Sequence, residues 1–217
     1  MTGILAIIKR LFASNKVSFI ITAVVVLCAA TSGDSKIALS NGNYTWLIAV
    51  MTPFFFVFYD YTKLMHLGTS KKDYFLGCLA SYGLMALLVS LANTAIYLLI
   101  DPLNRTQTVI NMMSLCGWTD NGIFAAFIQQ GIFLLLTMIF LHVLLSMQPY
   151  WYGWLTDCIL VGIICIFTPI APLRRILAGF FKVILFNSNA LLHIGICLLL
   201  SMALSFIGLT VLKRKTL

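Results

Sequence analysis

The sequence has no glutamate, and its acidic residues are six aspartates. Many membrane enzymes, including glutamate-dependent proteases, use a glutamate as general base or metal ligand. Those enzyme classes are therefore disfavoured before any motif is considered. Charged residues are scarce as well, at 9% of the chain against about 25% in a typical soluble domain. Such a deficit indicates that the bilayer, rather than water, surrounds most of the chain.

The motifs that hold nucleotides and metals are also missing. There is no GxxxxGK(S/T) phosphate loop and no HExxH pair, and the three histidines have no carboxylate at helical spacing. The six cysteines form no CxxC pair and lie mostly in apolar runs, so we expect inert thiols rather than a disulfide framework. No nucleophile is paired with a base in the sequence. We therefore expect no catalysis, metal or cofactor on this chain.

What the sequence does have is hydrophobic length: 61% of the 217 residues are hydrophobic, and the mean hydropathy is +1.03. About 20 helical residues cross the ~30 Å core of a bilayer, so we predict an all-α polytopic membrane protein with six transmembrane helices in one domain, 1–217. The first thirty residues are similar to a signal peptide, but residues 25–27 lack the small residue of a lipoprotein cleavage site. We therefore interpret this segment as a first span that is retained. The predicted spans are 17–33, 45–62, 75–100, 122–148, 154–171 and 189–212.

The basic residues predict the orientation. With the N-terminus inside, nine of the fourteen lysines and arginines fall in inner segments and five in outer ones. The inner residues are Lys9, Arg10, Lys16, Lys63, Lys71, Lys72, Lys213, Arg214 and Lys215. The outer residues are Lys36, Arg105, Arg174, Arg175 and Lys182. Because Lys and Arg accumulate on the cytoplasmic side, we expect a multi-pass protein of a bacterial cell membrane with both termini cytoplasmic, and no nucleic-acid partner.

Two amphipathic segments flank the spans. Residues 1–16 contain GILAIIKRLF, which predicts a helix in the cytoplasmic interface, the alternative being the flank of a signal anchor. Its characteristic residues are Ile7, Ile8, Lys9, Arg10 and Phe12. Residues 172–188 follow a short fifth span and two helix-breaking prolines, which predicts a re-entrant helix in the outer leaflet, the alternative being one kinked span with snorkelling arginines. Its candidate residues are Arg174, Arg175, Phe180, Phe181 and Lys182.

Polar residues inside the spans are candidate positions for a substrate path or a helix interface, because they are unfavourable in hydrocarbon. These candidates are Asn93, Thr94, Gln129 and Gln130. The two glutamines either line a lateral cavity or hydrogen-bond between helices. Asp60 and Asp157 lie near inner ends of spans, where water or a nearby lysine can satisfy them.

A compact basic stretch, HLGTSKKDYFLG, interrupts the apolar sequence within and after the loop 63–74. Three interpretations of this stretch are open: a solvated loop, a contact for anionic lipid, or a binding surface for a soluble partner. Gly68 permits a sharp chain reversal, and Thr69 or Ser70 can cap a short helix. The lysines at 71–72 offer charge to an acidic groove, and the aromatic residues at 74–75 are expected at the bilayer edge.

The arrangement resembles the permease subunit of a type-2 ABC exporter. The resemblance depends on GILAIIKRLF, the loop LMHLGTSKKDYFLG, the outer amphipathic segment and the basic C-terminus LKRKTL. In that family the loop commonly has Leu or Met, Gly, a small polar residue, a basic residue, an acidic or polar residue, and an aromatic residue before Gly. The lysines here stand where arginine is frequent. The matching residues are Leu67, Gly68, Thr69, Ser70, Lys71, Lys72, Asp73, Tyr74, Phe75 and Gly77.

The resemblance implies that the loop forms a coupling helix in a groove of a cytosolic ABC ATPase subunit, present in two copies, which binds ATP and Mg²⁺. It also implies a second permease chain, identical or paralogous, with the substrate path between the two. The small size favours an amphipathic or antimicrobial peptide as cargo, for export or self-immunity in Gram-positive bacteria. Alternatives are lipid or drug export by the same mechanism, a small-molecule-binding subunit of a vitamin-type importer, and a non-transporting assembly or sensor protein.

Overall fold

The computed structural model describes residues 3–29, 37–103, 108–187 and 189–214, and most of them are helical. The α-helices are α1 (Gly3–Ser14), α2 (Lys16–Ala29), α3 (Asn41–Tyr44), α4 (Trp46–Phe54), α5 (Tyr61–His66), α6 (Lys71–Leu99), α7 (Met112–Leu115), α8 (Ile123–Met147), α9 (Trp151–Phe167), α10 (Ala171–Ile184) and α11 (Ala190–Arg214). The other elements are a π-helix (Phe55–Asp60), two 3-10 helices (Asp101–Leu103 and Trp118–Asn121) and the strands β1 (Ile37–Leu39) and β2 (Thr108–Ile110). The predicted inner residue Lys215 and outer residues Lys36 and Arg105 lie outside the described residues.

The chain is all-α, and four of its helical segments are long and apolar enough to cross a membrane. A fifth is added if α1 and α2, which meet at a bend of 55°, are counted as one broken span. The 17-residue α9 is apolar but shorter than these segments. The four long segments are Asn41–His66, Lys71–Leu103, Ile123–Met147 and Ala190–Arg214. The predicted all-α structure with several helices of membrane-spanning length is therefore confirmed, whereas the number of six spans stays a prediction.

The long helix α8 lies at the centre of the bundle, where it packs against α4, α6 and α11. Gly208 of α11 allows close approach, since a Cβ there would lie 2.9 Å from Phe75 and 3.0 Å from Val143. Cys197 of α11 packs with Leu136 of α8. Because both contacts follow the same order along the two helices, α8 and α11 run side by side in the same direction.

The bend between α1 and α2 is stabilised by a buried side chain. Asn15 is 3% exposed, and its Nδ2 donates to the Leu11 carbonyl at 2.8 Å. The same Nδ2 donates to the Asp60 carboxylate, which is itself buried at the end of the π-helix. Asp60 therefore has an asparagine as its hydrogen-bond partner. Asp157 likewise accepts from Gln148 Nε2 at 2.6 Å rather than from a lysine.

The far end of the bundle is closed by a small polar assembly. The strands β1 and β2 pair in parallel, with Ile37 opposite Thr108 and Leu39 opposite Ile110. Behind them, Asn111 Nδ2 donates to Asn93 Oδ1 at 2.9 Å and to Ser40 Oγ at 3.1 Å. We call Ser40, Asn93, Asp101 and Asn111 the outer polar cluster, after the side on which the sequence predicts this end; Ser40 Oγ completes it by donating to Asp101 Oδ1 at 3.0 Å.

Candidate functional site

The basic stretch between the second and third predicted spans forms a tight, exposed turn at residues 67–70. Helix α5 ends in a Schellman motif: Thr69 N donates to Leu64 O at 3.1 Å, and Gly68 N donates to Met65 O at 3.0 Å. Gly68 has a φ of 79°, which a residue with a Cβ rarely adopts. The predicted reversal at Gly68 is therefore confirmed.

Helix α6 begins immediately after the turn and is capped by Ser70. Ser70 Oγ accepts a hydrogen bond from Asp73 N at 3.1 Å and donates to Asp73 Oδ2 at 2.7 Å. The capping role predicted for Thr69 or Ser70 is confirmed at Ser70. The predicted separate short helix is wrong, because the capped helix continues for 29 residues. The predicted loop 63–74 is correspondingly reduced to four residues, since helical hydrogen bonds satisfy the backbone on both sides.

The turn presents an apolar tip beside positive charge. Leu67 is 58% exposed, and Lys72 and Asp73 are exposed next to it. Lys71 Nζ donates to the Lys213 carbonyl at 3.1 Å, so the turn is joined to the last residues of α11. We call residues 67–73 the basic turn.

Tyr74 and Phe75 lie in the core rather than at the bilayer edge, where the sequence placed them. They are 0% and 1% exposed. The Tyr74 hydroxyl donates to the Phe56 carbonyl of the π-helix at 2.9 Å, and its ring contacts Tyr61 at 5.3 Å between centroids. The helical period turns positions 74 and 75 inward while positions 72 and 73 face outward. These two aromatic residues fasten the basic turn to the bundle.

Helix α1 packs on the first turns of α6, beside the basic turn. Ile7 is buried, and a Cβ at Gly77 would lie 2.6 Å from its Cγ2 atom. Phe12 contacts Phe19 and Phe56 at 5.7 and 6.2 Å between ring centroids. Ile8 is half-buried, whereas Lys9 and Arg10 are exposed. The apolar side of α1 is thus partly covered by the protein itself.

The four polar candidates within the spans fall into two groups. Asn93 belongs to the outer polar cluster, and Thr94 Oγ1 lies 3.8 Å from the sulfur of Met113. Gln129 and Gln130 are 0% exposed, and neither carboxamide has a hydrogen-bond partner among the described residues. Among the described residues, the two glutamines therefore make no interhelical hydrogen bond of the kind that the sequence suggested.

The five candidate residues of the outer amphipathic segment lie on α10 and are all exposed. The C-terminal carbonyls of α10 are held by other elements: Trp118 Nε1 donates to Leu185 O at 2.9 Å, and His193 Nε2 lies 2.7 Å from Ile184 O. Trp118 itself is 0% exposed, so its ring is buried within the protein. The basic turn and α10 lie at opposite ends of α11, which spans about 37 Å at 1.5 Å per residue.

Sequence reasoning missed several residues that organise the outer end. Asn111, Ser40 and Asp101 carry the outer polar cluster, and only the helix-capping character of Asn111 before α7 gave a signal for it. Cys197 stands four residues after His193, and its sulfur lies 3.7 Å from Nε2. Burial raises the pKa of the Cys116 thiol to about 11, so this thiol stays protonated at neutral pH. No three His, Cys, Asp or Glu side chains meet as a metal site within the described ranges.

Comparison with known proteins finds no match: no protein-family model fits the chain, and no curated protein or solved structure is significantly similar to it. The exporter family therefore stays an expectation drawn from the motifs.

Proposed function

We propose that this chain is the membrane subunit of an ATP-driven ABC exporter, coupled to a separate cytosolic ATPase through the basic turn. The observation that carries the proposal is the construction of that turn. An exposed tip, residues 67–70, is hydrogen-bonded on both sides to helices. Because the turn is rigid and leads directly into α6, a displacement at the tip moves a rod of about 43 Å as one body.

The charge at this end of the molecule supports a cytoplasmic location. The exposed or half-buried basic residues around the basic turn come from α1, α5, α6 and α11. They are Lys9, Arg10, Lys63, Lys71, Lys72, Lys213 and Arg214. Such a concentration is typical of the cytoplasmic side of a bacterial cell membrane protein. In this orientation α1 and the basic turn together form the surface that meets the ATPase.

The proposal includes six spans and a re-entrant segment. Helix α9 is about 25 Å long at 1.5 Å per residue, which is nearly the thickness of the hydrocarbon core. It ends at Phe167, and after residues 168–170 helix α10 begins with Pro172 in its first turn. The exposed arginines and phenylalanines of α10 suit a helix lying at the outer membrane surface. Helices α2, the Asn41–His66 segment, α6, α8, α9 and α11 are then the six spans.

Because the chain has no phosphate loop, we assign the binding of ATP and Mg²⁺ to a partner ATPase that is present in two copies. A second permease chain completes the substrate path. The cargo we propose is an amphipathic or antimicrobial peptide, since the chain has no large polar segment that would fold as a separate receptor domain.

The test is co-expression of the chain with a candidate ABC ATPase, followed by purification and ATPase measurement. We expect a complex with one ATPase per permease, and we expect Lys72→Glu and Gly68→Val to lower its ATPase activity by about tenfold, equivalent to about 1.4 kcal/mol. Lys182→Glu is the matched control, because it reverses an exposed lysine at the other end of the molecule. If no complex forms, or if the three variants behave alike, the coupling assignment is wrong.

A further inference from the structure

Buried hydrogen-bonding groups without partners are concentrated around the outer half of α8. Both carboxamide atoms of Gln129 and of Gln130, the Ser90 hydroxyl, the Trp46 Nε1 atom and the His193 Nδ1 atom lack a partner among the described residues. We call these five residues the buried polar layer. They come from four helices, α4, α6, α8 and α11.

The neighbours of α8 place these groups at one level of the bundle. A Cβ at Gly131 would lie 3.3 Å from Ser90 Oγ, so Ser90 faces α8 beside Gln130. The ring of Phe133, one turn after Gln129, lies 5.8 Å from Trp46 and 5.9 Å from Trp118. Trp118 in turn contacts His193 at 5.4 Å. One set of contacting rings therefore joins Trp46 on α4, Phe133 on α8 and, through Trp118, His193 on α11. Trp46 and His193 belong to the layer, and Phe133 lies next to it.

Among the described residues, buried hydroxyls without a partner also occur singly outside the layer, at Ser146, Tyr152 and Ser201, whereas the layer brings together five residues with buried polar groups that lack a partner. Other hydroxyls in the same helices do bond to the carbonyl four residues earlier, as Ser81 does to Gly77 at 2.8 Å and Thr137 to Phe133 at 2.9 Å. On the inner side, the Tyr82 hydroxyl lies 2.6 Å from His142 Nδ1, and on the outer side the polar cluster is internally paired. Ser90 makes no such bond although it is fully buried.

A buried amide without hydrogen bonds is strongly unfavourable, and native proteins satisfy almost all such groups. The layer contains no carboxylate and no lysine or arginine. His193 Nε2 lies against the Ile184 carbonyl, so Nε2 carries the proton and Nδ1 is left as an acceptor. The two carboxamides offer donors and acceptors, and Trp46 offers a donor. This set is complementary to an uncharged ligand that both donates and accepts hydrogen bonds.

We infer that the buried polar layer is a binding site for such a ligand, and two sources share its chemistry: internal water and an amide group such as that of a peptide. The inference does not depend on the transport role proposed above. Water is the ligand expected in the isolated chain, because buried water bridges groups that lack protein partners.

The first measurement is thermal unfolding of the purified chain in nanodiscs. Methionine resembles glutamine in length but makes almost no hydrogen bonds, so Gln129→Met with Gln130→Met removes the ligand's partners and largely conserves the packing volume. We expect the Tm to fall by about 2 to 4 °C relative to the parent, the shift typical of a moderate destabilisation in a chain of this length. Leu134→Met is the control, since it places a methionine at another buried position of α8. Its Tm is expected to stay close to that of the parent.

The second measurement is X-ray hydroxyl-radical labelling, which modifies side chains next to bound water even when bulk solvent does not reach them. Trp118 borders the layer and is 0% exposed, and Phe56 is equally buried but lies in the fully packed core. We expect labelling of Trp118 well above that of Phe56, and its loss in the double glutamine variant. Adding N-acetyl-leucinamide distinguishes the sources: protection of Trp118 means that an amide displaces the water, and unchanged labelling means that water alone binds.

The proposal fails if either expected result is absent. A double variant as stable as the Leu134→Met control, or more stable, shows that the carboxamides have no ligand to lose. Labelling of Trp118 no higher than that of Phe56 shows that the layer holds no water. The single variants Gln129→Met and Gln130→Met keep the test decisive if the double variant does not fold.

Discussion

Gly153 determines how closely α8 and α9 can follow one another. Only residues 148–150 separate the two helices, and Gly153 N donates to Tyr150 O at 3.0 Å. A Cβ at this position would overlap the carbonyl group of Met147 and would also contact the Gln148 backbone. Backbone atoms cannot move aside as a flexible side chain can, so the glycine is required by the geometry of the turn.

We therefore expect Gly153→Ala to destabilise the protein by about 1–3 kcal/mol, the range for overpacking. Gly162→Ala on the same helix is the matched control, because nothing lies within 4 Å of a Cβ there. Alanine is the better helix former by about 1 kcal/mol, so the control is expected to be neutral or slightly stabilising. Unfolding in detergent measures both variants, and equal stabilities would contradict the tight α8–α9 turn.

At the scale of elements, α10 is held mainly at its C-terminal end. The rest of the helix is exposed, whereas the Ile184 and Leu185 carbonyls at its end are bound by His193 and Trp118. These two carbonyls belong to the last turn, where a helix has no internal donors left. The tether combines two hydrogen bonds with the contact between the Trp118 and His193 rings.

Removing the tether should loosen α10 without disturbing the bundle. We expect Trp118→Phe combined with His193→Phe to raise amide hydrogen exchange of residues 181–187 by at least about tenfold, the change expected from losing about 1.4 kcal/mol of local stability. Exchange in the middle of α6 is the internal reference and should not change. If α6 and α10 exchange faster together, the tether supports the whole bundle and our assignment of it to α10 is wrong.

The elements that the sequence predicted best are those defined by hydrophobic length. The predicted spans 122–148 and 189–212 differ from α8 and α11 by one or two residues at each end, because long apolar runs have few alternatives in a bilayer. The strands β1 and β2 were not foreseen, since three-residue strands in a polar loop carry too little pattern. The inward position of Tyr74 depends on where α6 begins, and that of Trp118 on tertiary packing, and the sequence specified neither.

At the scale of the whole molecule, the two ends of the bundle differ in construction. One end has the basic turn, α1 and the last residues of α11, and it is rich in lysine and arginine. The other end has the outer polar cluster and α10. The candidate coupling residues of the basic turn and the candidate residues of α10 are thus separated by the full length of α11. Any functional link between these two sets must pass through the packed helices.

This separation gives a test of orientation that does not require the ATPase. Thr69→Cys and Lys182→Cys place a thiol at the basic turn and on α10, and the parent chain measures the background from its own exposed cysteines. If the chain spans the membrane as proposed, a membrane-impermeant maleimide should label Lys182→Cys in intact cells but should label Thr69→Cys only after permeabilisation. The difference is expected because at least one complete span, α11, separates the two sites. Labelling of both thiols in intact cells would place the two ends on the same side and exclude the proposed coupling to a cytosolic partner, while the reverse pattern would put the basic turn outside, against the distribution of positive charge.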